Sequence, residues 1–193
     1  MSNSSNRPAL RVPVFAVVSI LLFACTAMAQ LSERDRGFAL YLDQDYSNAV
    51  DVLNRVFEND KKDQAACVYL AASQHKLQNE KAALSTLRKC RRIKSGYTSP
   101  STELFDKKLE ITYRQIAHRT PAAERRGQFG EVLLLVEFLP DGTVGFTIPV
   151  RKLGYGLTEA AIEATHKFKF IPAKRNGRPI SDIRLIRHSW NVY

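Results

Sequence analysis

Four histidines and three cysteines are the residues of this sequence best suited to catalysis or metal binding, and their spacing argues against both. Among His75, His118, His166 and His188 no two stand at metal-ligand spacing. None adjoins a carboxylate pair, or a cysteine in a nucleophile arrangement. His166, between Thr165 and Lys167 on a helical pattern, reads as a surface residue. His188 lies in a strand pattern whose neighbours suggest sheet packing, although an imidazole there could titrate near neutrality. Gly154 and Gly156 lack the rest of a phosphate-binding fingerprint. No catalytic residue, cofactor or metal is therefore expected. Cys67 and Cys90 stand on two helical patterns, about equally far back from a turn near Gln78-Asn79. Antiparallel packing would bring them together, either as a disulfide in an oxidising compartment or as two buried thiols.

The compartment is read from the N-terminus. Arg7 and Arg11 precede an uncharged run from Val12 to Ala29 that ends in Ala27-Met28-Ala29. A basic start, an apolar stretch and small residues at alternate positions describe an export signal over residues 1–29, cleaved before Gln30. Two alternatives stay open. The run is at the lower limit of what spans a bilayer, so it could be kept as an inner-membrane anchor. Leu22-Phe23-Ala24-Cys25 also resembles a lipidation box, spoiled by bulky Phe23. The expected location is the periplasm or cell envelope. With 29 Lys+Arg against 19 Asp+Glu, the formal charge is +10. Outside the cytoplasm that excess favours acidic surfaces over nucleic acid, or simply serves solubility. The densest basic run, Lys167, Lys169, Lys174, Arg175 and Arg178, carries the same two readings.

These residues need elements to hold them. Ser32 to Tyr97 is helical in pattern, rich in Ala, Leu and Lys, and free of proline. Gly37, Ala49, Val50 and Leu53 recur as Ala71, Ala83, Leu84 and Leu87, always 34 positions on. That is the period of the tetratricopeptide repeat, a pair of antiparallel helices. Small residues at 37/71 and 49/83 let paired helices approach, and Leu53 and Leu87 fill the space between pairs. Two units bury little alone. A third helix, started by Ser99-Pro100 and carrying Phe105, Leu109, Thr112 and Ile116 inward, is expected to cap them.

After Thr120-Pro121 the pattern changes. Residues 30–120 are thus read as the helical repeat with its cap, and residues 121–193 as a separate domain, of which residues 124–193 are expected to fold alone. A strand from Glu131 to Leu139 meets a second from Val144 to about Arg151 through Asp141-Gly142, a hairpin turn signal. Val132, Leu134, Val136 and Phe138 make one apolar face. Leu133, Leu135 and Leu139 nearly fill the other, interrupted by Glu137, so cover is expected on both faces, from helices or from another chain. Thr158 is a candidate cap for a helix to about Phe168, and a last strand runs from Ile183 to Tyr193. The fold class is α+β: an all-α repeat followed by a small two-layer β-β-α-β domain.

Gly130-x-Val132, the Asp141-Gly142-x-Val144 turn and Leu157-Thr158-Glu159-Ala160-Ala161 occur in order with Phe168-x-Phe170-x-Pro172-Ala173 and Asn176-Gly177-x-Pro179. Together they resemble the C-terminal domain of the TonB family. The resemblance implies a non-enzymatic protein-binding domain of the bacterial envelope that pairs a sheet edge with a short segment of an outer-membrane receptor. It also implies two departures. The anchor-like run has no histidine for a proton-driven partner. Pro100 and Pro121 are the only prolines between Gln30 and Gly130, so no extended spacer precedes the domain.

Three readings follow: an adaptor that binds an envelope protein by β-strand addition, a TonB-type energy transducer for transport across the outer membrane, and a structural protein that forms a homodimer through this domain. For the first, the last strand is the expected edge, since no later segment of the sequence follows it. Leu185, Arg187, Ser189 and Asn191 then form its partner-reading side. Ile186, His188, Trp190 and Val192 face the helix.

Overall fold

The computed structural model describes residues 31–93 and 104–191; the expected export signal, Ser99-Pro100 and Val192 lie outside them. Four helices come first: α1 (Glu33–Leu42), α2 (Tyr46–Asn59), α3 (Gln64–Lys76) and α4 (Glu80–Cys90). The 34-residue period reaches down to the turns. Gln44 and Gln78 both adopt positive φ (63° and 60°). The next residues, Asp45 and Asn79, cap α2 and α4 by accepting the N–H of Asn48 and Ala82. Gly37 is required by close approach, because a Cβ there would stand 2.6 Å from Leu53 Cδ2. Leu53 and Leu87 are buried, as are Ala49 and Ala83.

The expected third helix is absent from residues 104–116. Leu104 and Phe105 are buried beneath the repeat, and Glu110–Tyr113 forms a strand, β1. Ile111 packs inward while Glu110, Thr112 and Tyr113 are exposed, and an irregularity in the pairing between Ile111 and Tyr113 turns the tyrosine outward. Isoleucine, threonine and tyrosine in succession favour that extended form. Pro121–Arg125 follows as the short helix α5, capped by Thr120.

The remaining elements are β2 (Gly130–Phe138), β3 (Val144–Arg151), α6 (Leu157–His166), β4 (Lys169–Ile171), β5 (Ala173–Arg175), β6 (Arg178–Ile180) and β7 (Asp182–Trp190). The main sheet has the order β3-β2-β7, antiparallel throughout. Two ribbons, β1-β4 and β5-β6, complete the set. Thr158 does not cap α6. Gly156 does so in the left-handed region (φ 78°), and the buried Thr158 hydroxyl bonds the backbone of Leu153 instead.

Both faces of β2 are covered, and by this chain. Val132, Leu134, Val136 and Phe138 pack with Leu157, Ala161 and Ala164 of α6, together with Ile186 and Trp190. Leu135 and Ile183 pack instead with Phe38, Tyr69 and the repeat helices. The helices form a third layer over the small two-layer domain. Residues 33–193 accordingly make one compact unit. That packing explains α3, which is buried almost all round, from Ala65 to Ser73.

Candidate functional site: the outer edge of the last strand

β7 pairs with β2 along its whole length, from Gly130 opposite Trp190 to Phe138 opposite Asp182. Among the described residues no strand pairs with its other side. The direction of its backbone is given by Arg114, whose guanidinium donates to the Arg187 carbonyl at 3.4 Å from outside the sheet. In an antiparallel strand the N–H and C=O of one residue point the same way, alternating along the chain. Arg187 and Ser189 therefore turn their backbone groups outward, while Ile186, His188 and Trp190 bond β2. The opposite edge differs: β3 contains Pro149, which has no N–H to donate.

Side chains alternate too. Ile186, His188 and Trp190 are buried toward α6, and the Trp190 indole N–H donates to the Ala117 carbonyl at 3.1 Å. Arg187 and Ser189 are exposed, Asn191 is exposed just past the strand, and Leu185 is half-buried against the repeat. The four predicted residues thus share a side but not an environment. Arg187 reaches Glu131 at 3.3 Å, on the carboxylate that also takes Arg151 at 2.7 Å. Arg114, which no sequence pattern singled out, touches this edge and also lies 5.4 Å over the Phe168 ring.

His188 is held neutral at the inner side of the edge. Burial, then the nearby Arg114 charge, lowers its pKa below 6.5, and Thr165 Oγ1 lies 2.8 Å from its Nε2. The unfolded chain therefore binds the proton more readily. The stability that neutral His188 contributes is complete above the unfolded value and is lost as pH falls through the lowered folded one. Melting temperatures between neutral and mildly acid pH should drop further for the wild type than for His188→Gln. Equal drops would remove His188 as the cause.

The other chemistry-bearing residues lie apart from the edge. Cys67 and Cys90 join α3 to α4 as a disulfide, with Cα atoms 5.6 Å apart. His75 pairs with Glu80 at 2.6 Å and stands edge-on to Phe146. His166 meets Thr147 at 3.3 Å. The basic run divides: Lys167 pairs with Glu163 and Arg175 with Asp43, on different elements. Among the described residues no group of three or more His, Cys, Asp or Glu side chains is placed to hold a metal ion. Nor is any described helix long and apolar enough to cross a membrane.

Two buried polar clusters join the repeat to the sheet, and sequence reasoning missed both. Glu137, which interrupts the second face of β2, accepts from the Tyr41 hydroxyl at 3.0 Å and from Lys76 Nζ at 2.9 Å. Burial, then the Glu137 charge, pushes the Tyr41 hydroxyl far above the ordinary phenol range, so it remains a donor. Asp182, fully buried, accepts from Tyr69 at 2.9 Å and pairs with Arg184 at 2.6 Å. The one available signal was a lone charge within an apolar strand.

Residues 121–191 match the family model for the C-terminal domain of the Gram-negative bacterial TonB protein. No curated protein matches the chain.

Proposed function

We propose that this chain, whose residues 121–191 form a TonB C-terminal domain, is a non-catalytic adaptor of the cell envelope that binds a partner segment by strand addition to the outer edge of β7. The observation that carries the reading is the unpaired edge itself, with the Arg187 and Ser189 backbone turned outward and their side chains exposed. An added strand gains affinity from these backbone groups whatever its sequence, and selectivity from Arg187, Ser189 and Asn191. An envelope protein, such as a segment of an outer-membrane receptor, is the partner in this reading. The N-terminal run provides export or a membrane tether.

Two observations weigh against the other readings. A transducer needs reach, and here the helices that precede the domain pack onto its sheet. A dimer through the second face of β2 would need that face free, and the repeat already fills it.

Ser189→Pro tests the proposal. Ser189 stands opposite Glu131 with its N–H outward, so proline costs no bond to β2 yet blocks an added strand. The variant of residues 30–193 should melt like the wild type but no longer retain, from an envelope extract, the protein that the wild type retains. Undiminished retention by the folded variant would refute strand addition at this edge.

A further inference from the structure

Three of the large apolar side chains that stay exposed on the C-terminal domain belong to the ribbon β1-β4 or to the segment that leaves it. Tyr113 is 51% exposed, Ile116 72% and Ile171 37%. The ribbon β1-β4 explains the first and third: Tyr113 stands opposite Lys169, and Ile171 follows Lys169 by two residues, on the same face. Ile111 and Phe170, on the other face, pack into the core. Ile116 belongs to the segment that leaves β1 and runs beside α6. Exposed cations stand among these apolar groups. Lys108 precedes β1, Arg114 follows it and Lys169 lies on β4, against Glu110 as the carboxylate on the ribbon. Lys167 is balanced by Glu163.

Exposed apolar side chains set among charges mark a candidate interaction surface. Its shape and chemistry narrow the partner. The side chains project outward from the ribbon, and the depression beside them, between residues 115–118 and α6, holds only about 130 Å³. Pockets that enclose a ligand or a row of peptide side chains are several times larger. Tyrosine and isoleucine flanked by lysine and arginine are instead the side chains that settle at a lipid–water boundary. The ring and the branched chain enter the headgroup layer while the cations stay at its anionic surface.

We infer that the face made by Tyr113, Ile116, Ile171, Lys108, Arg114 and Lys169 seats the domain on an anionic bilayer surface. The outer edge of β7 lies next to it, since Arg114 and Ala117 touch that strand. The inference stands independently of strand addition.

Residues 33–193 form one compact unit, so residues 30–193 are suited to the test. They should sediment with vesicles of mixed phosphatidylcholine and phosphatidylglycerol, less so as salt rises, and not with phosphatidylcholine alone. Lys108→Glu with Lys169→Glu should weaken that partition by about twenty-five-fold or more, from about fivefold for each lysine charge lost at such a surface. Tyr113→Ser with Ile116→Ser should weaken it as well, with the melting temperature of each variant confirming its fold. Binding without preference for the anionic lipid, or unchanged in both variants, overturns the inference. So does a serine variant that loses a protein partner while keeping its full vesicle affinity, because the face would then belong to a protein interface.

Discussion

Residues 121–193 produced alone should not melt cooperatively, and should self-associate. The reason lies in β2 and β7. Leu135 and Ile183 are fully buried, but in the core they share with Phe38, Tyr69 and the other repeat residues. Without the helices both become solvent-exposed, together with Ala173. Burying a side chain of that size contributes about 1.5–3 kcal/mol, so the loss from two alone is comparable with the ~5–15 kcal/mol that holds a domain together. Glu137 and Asp182 would be left in the middle of this surface without Tyr41, Lys76 or Tyr69. An apolar sheet face in water is also an invitation to pair with another copy. Circular dichroism melting and light scattering, compared with residues 30–193, check both parts. A sharp melt by a monomeric fragment would mean that the α6-side core of Val132, Leu134, Val136 and Phe138 suffices.

The architecture was legible where the sequence states it locally. The 34-residue period fixed the four helices because each unit repeats its own small residues and its own capped turn, Gln44-Asp45 and Gln78-Asn79. The two apolar faces of β2 announced cover on both sides, since a strand cannot leave leucines in water on either one. What supplied the cover was not legible. That depends on which surfaces meet, and helix α3 carries no amphipathic stripe because it is buried almost all round. The missing third helix is a lesson of another kind. Phe105, Leu109, Thr112 and Ile116 do fall at helical spacing, yet Ile111, Thr112 and Tyr113 favour extended backbone, and pairing with β4 decided the outcome. At the edge of β7 the alternation of side chains was readable. The direction of its N–H groups was not, because a shift of one residue reverses it. Only the contact from Arg114, remote in sequence, gives it.

Lys76→Met should destabilise the protein more than the triple change Tyr41→Phe, Lys76→Met and Glu137→Leu. The single change leaves the Glu137 carboxylate, 4% exposed, with Tyr41 as its remaining donor. Breaking a buried pair from one side costs about 3–5 kcal/mol, whereas apolar replacement of the whole group is often neutral or favourable. Two features put the single variant at the low end, near 3 kcal/mol. The Lys76 side chain is 29% exposed, and a cleft of about 420 Å³ bounded by Tyr41, Lys76, Glu137 and Pro179 lets water approach. Tyr41 must change together with Glu137, because its buried hydroxyl would otherwise lose its acceptor. Leucine fits at 137 because residue 145 is glycine; a Cβ there would come within 2.8 Å of Glu137 Oε2. Urea unfolding of the two variants and the wild type measures the order directly. If Lys76→Met proves as stable as the wild type, water already carries the charge of Glu137, and the cluster does not bind the repeat to the sheet. If the triple variant is the weaker of the two, the polar contacts are worth more than the apolar packing that would replace them. The repeat then holds its place on β2 by hydrogen bonding rather than by the shared core.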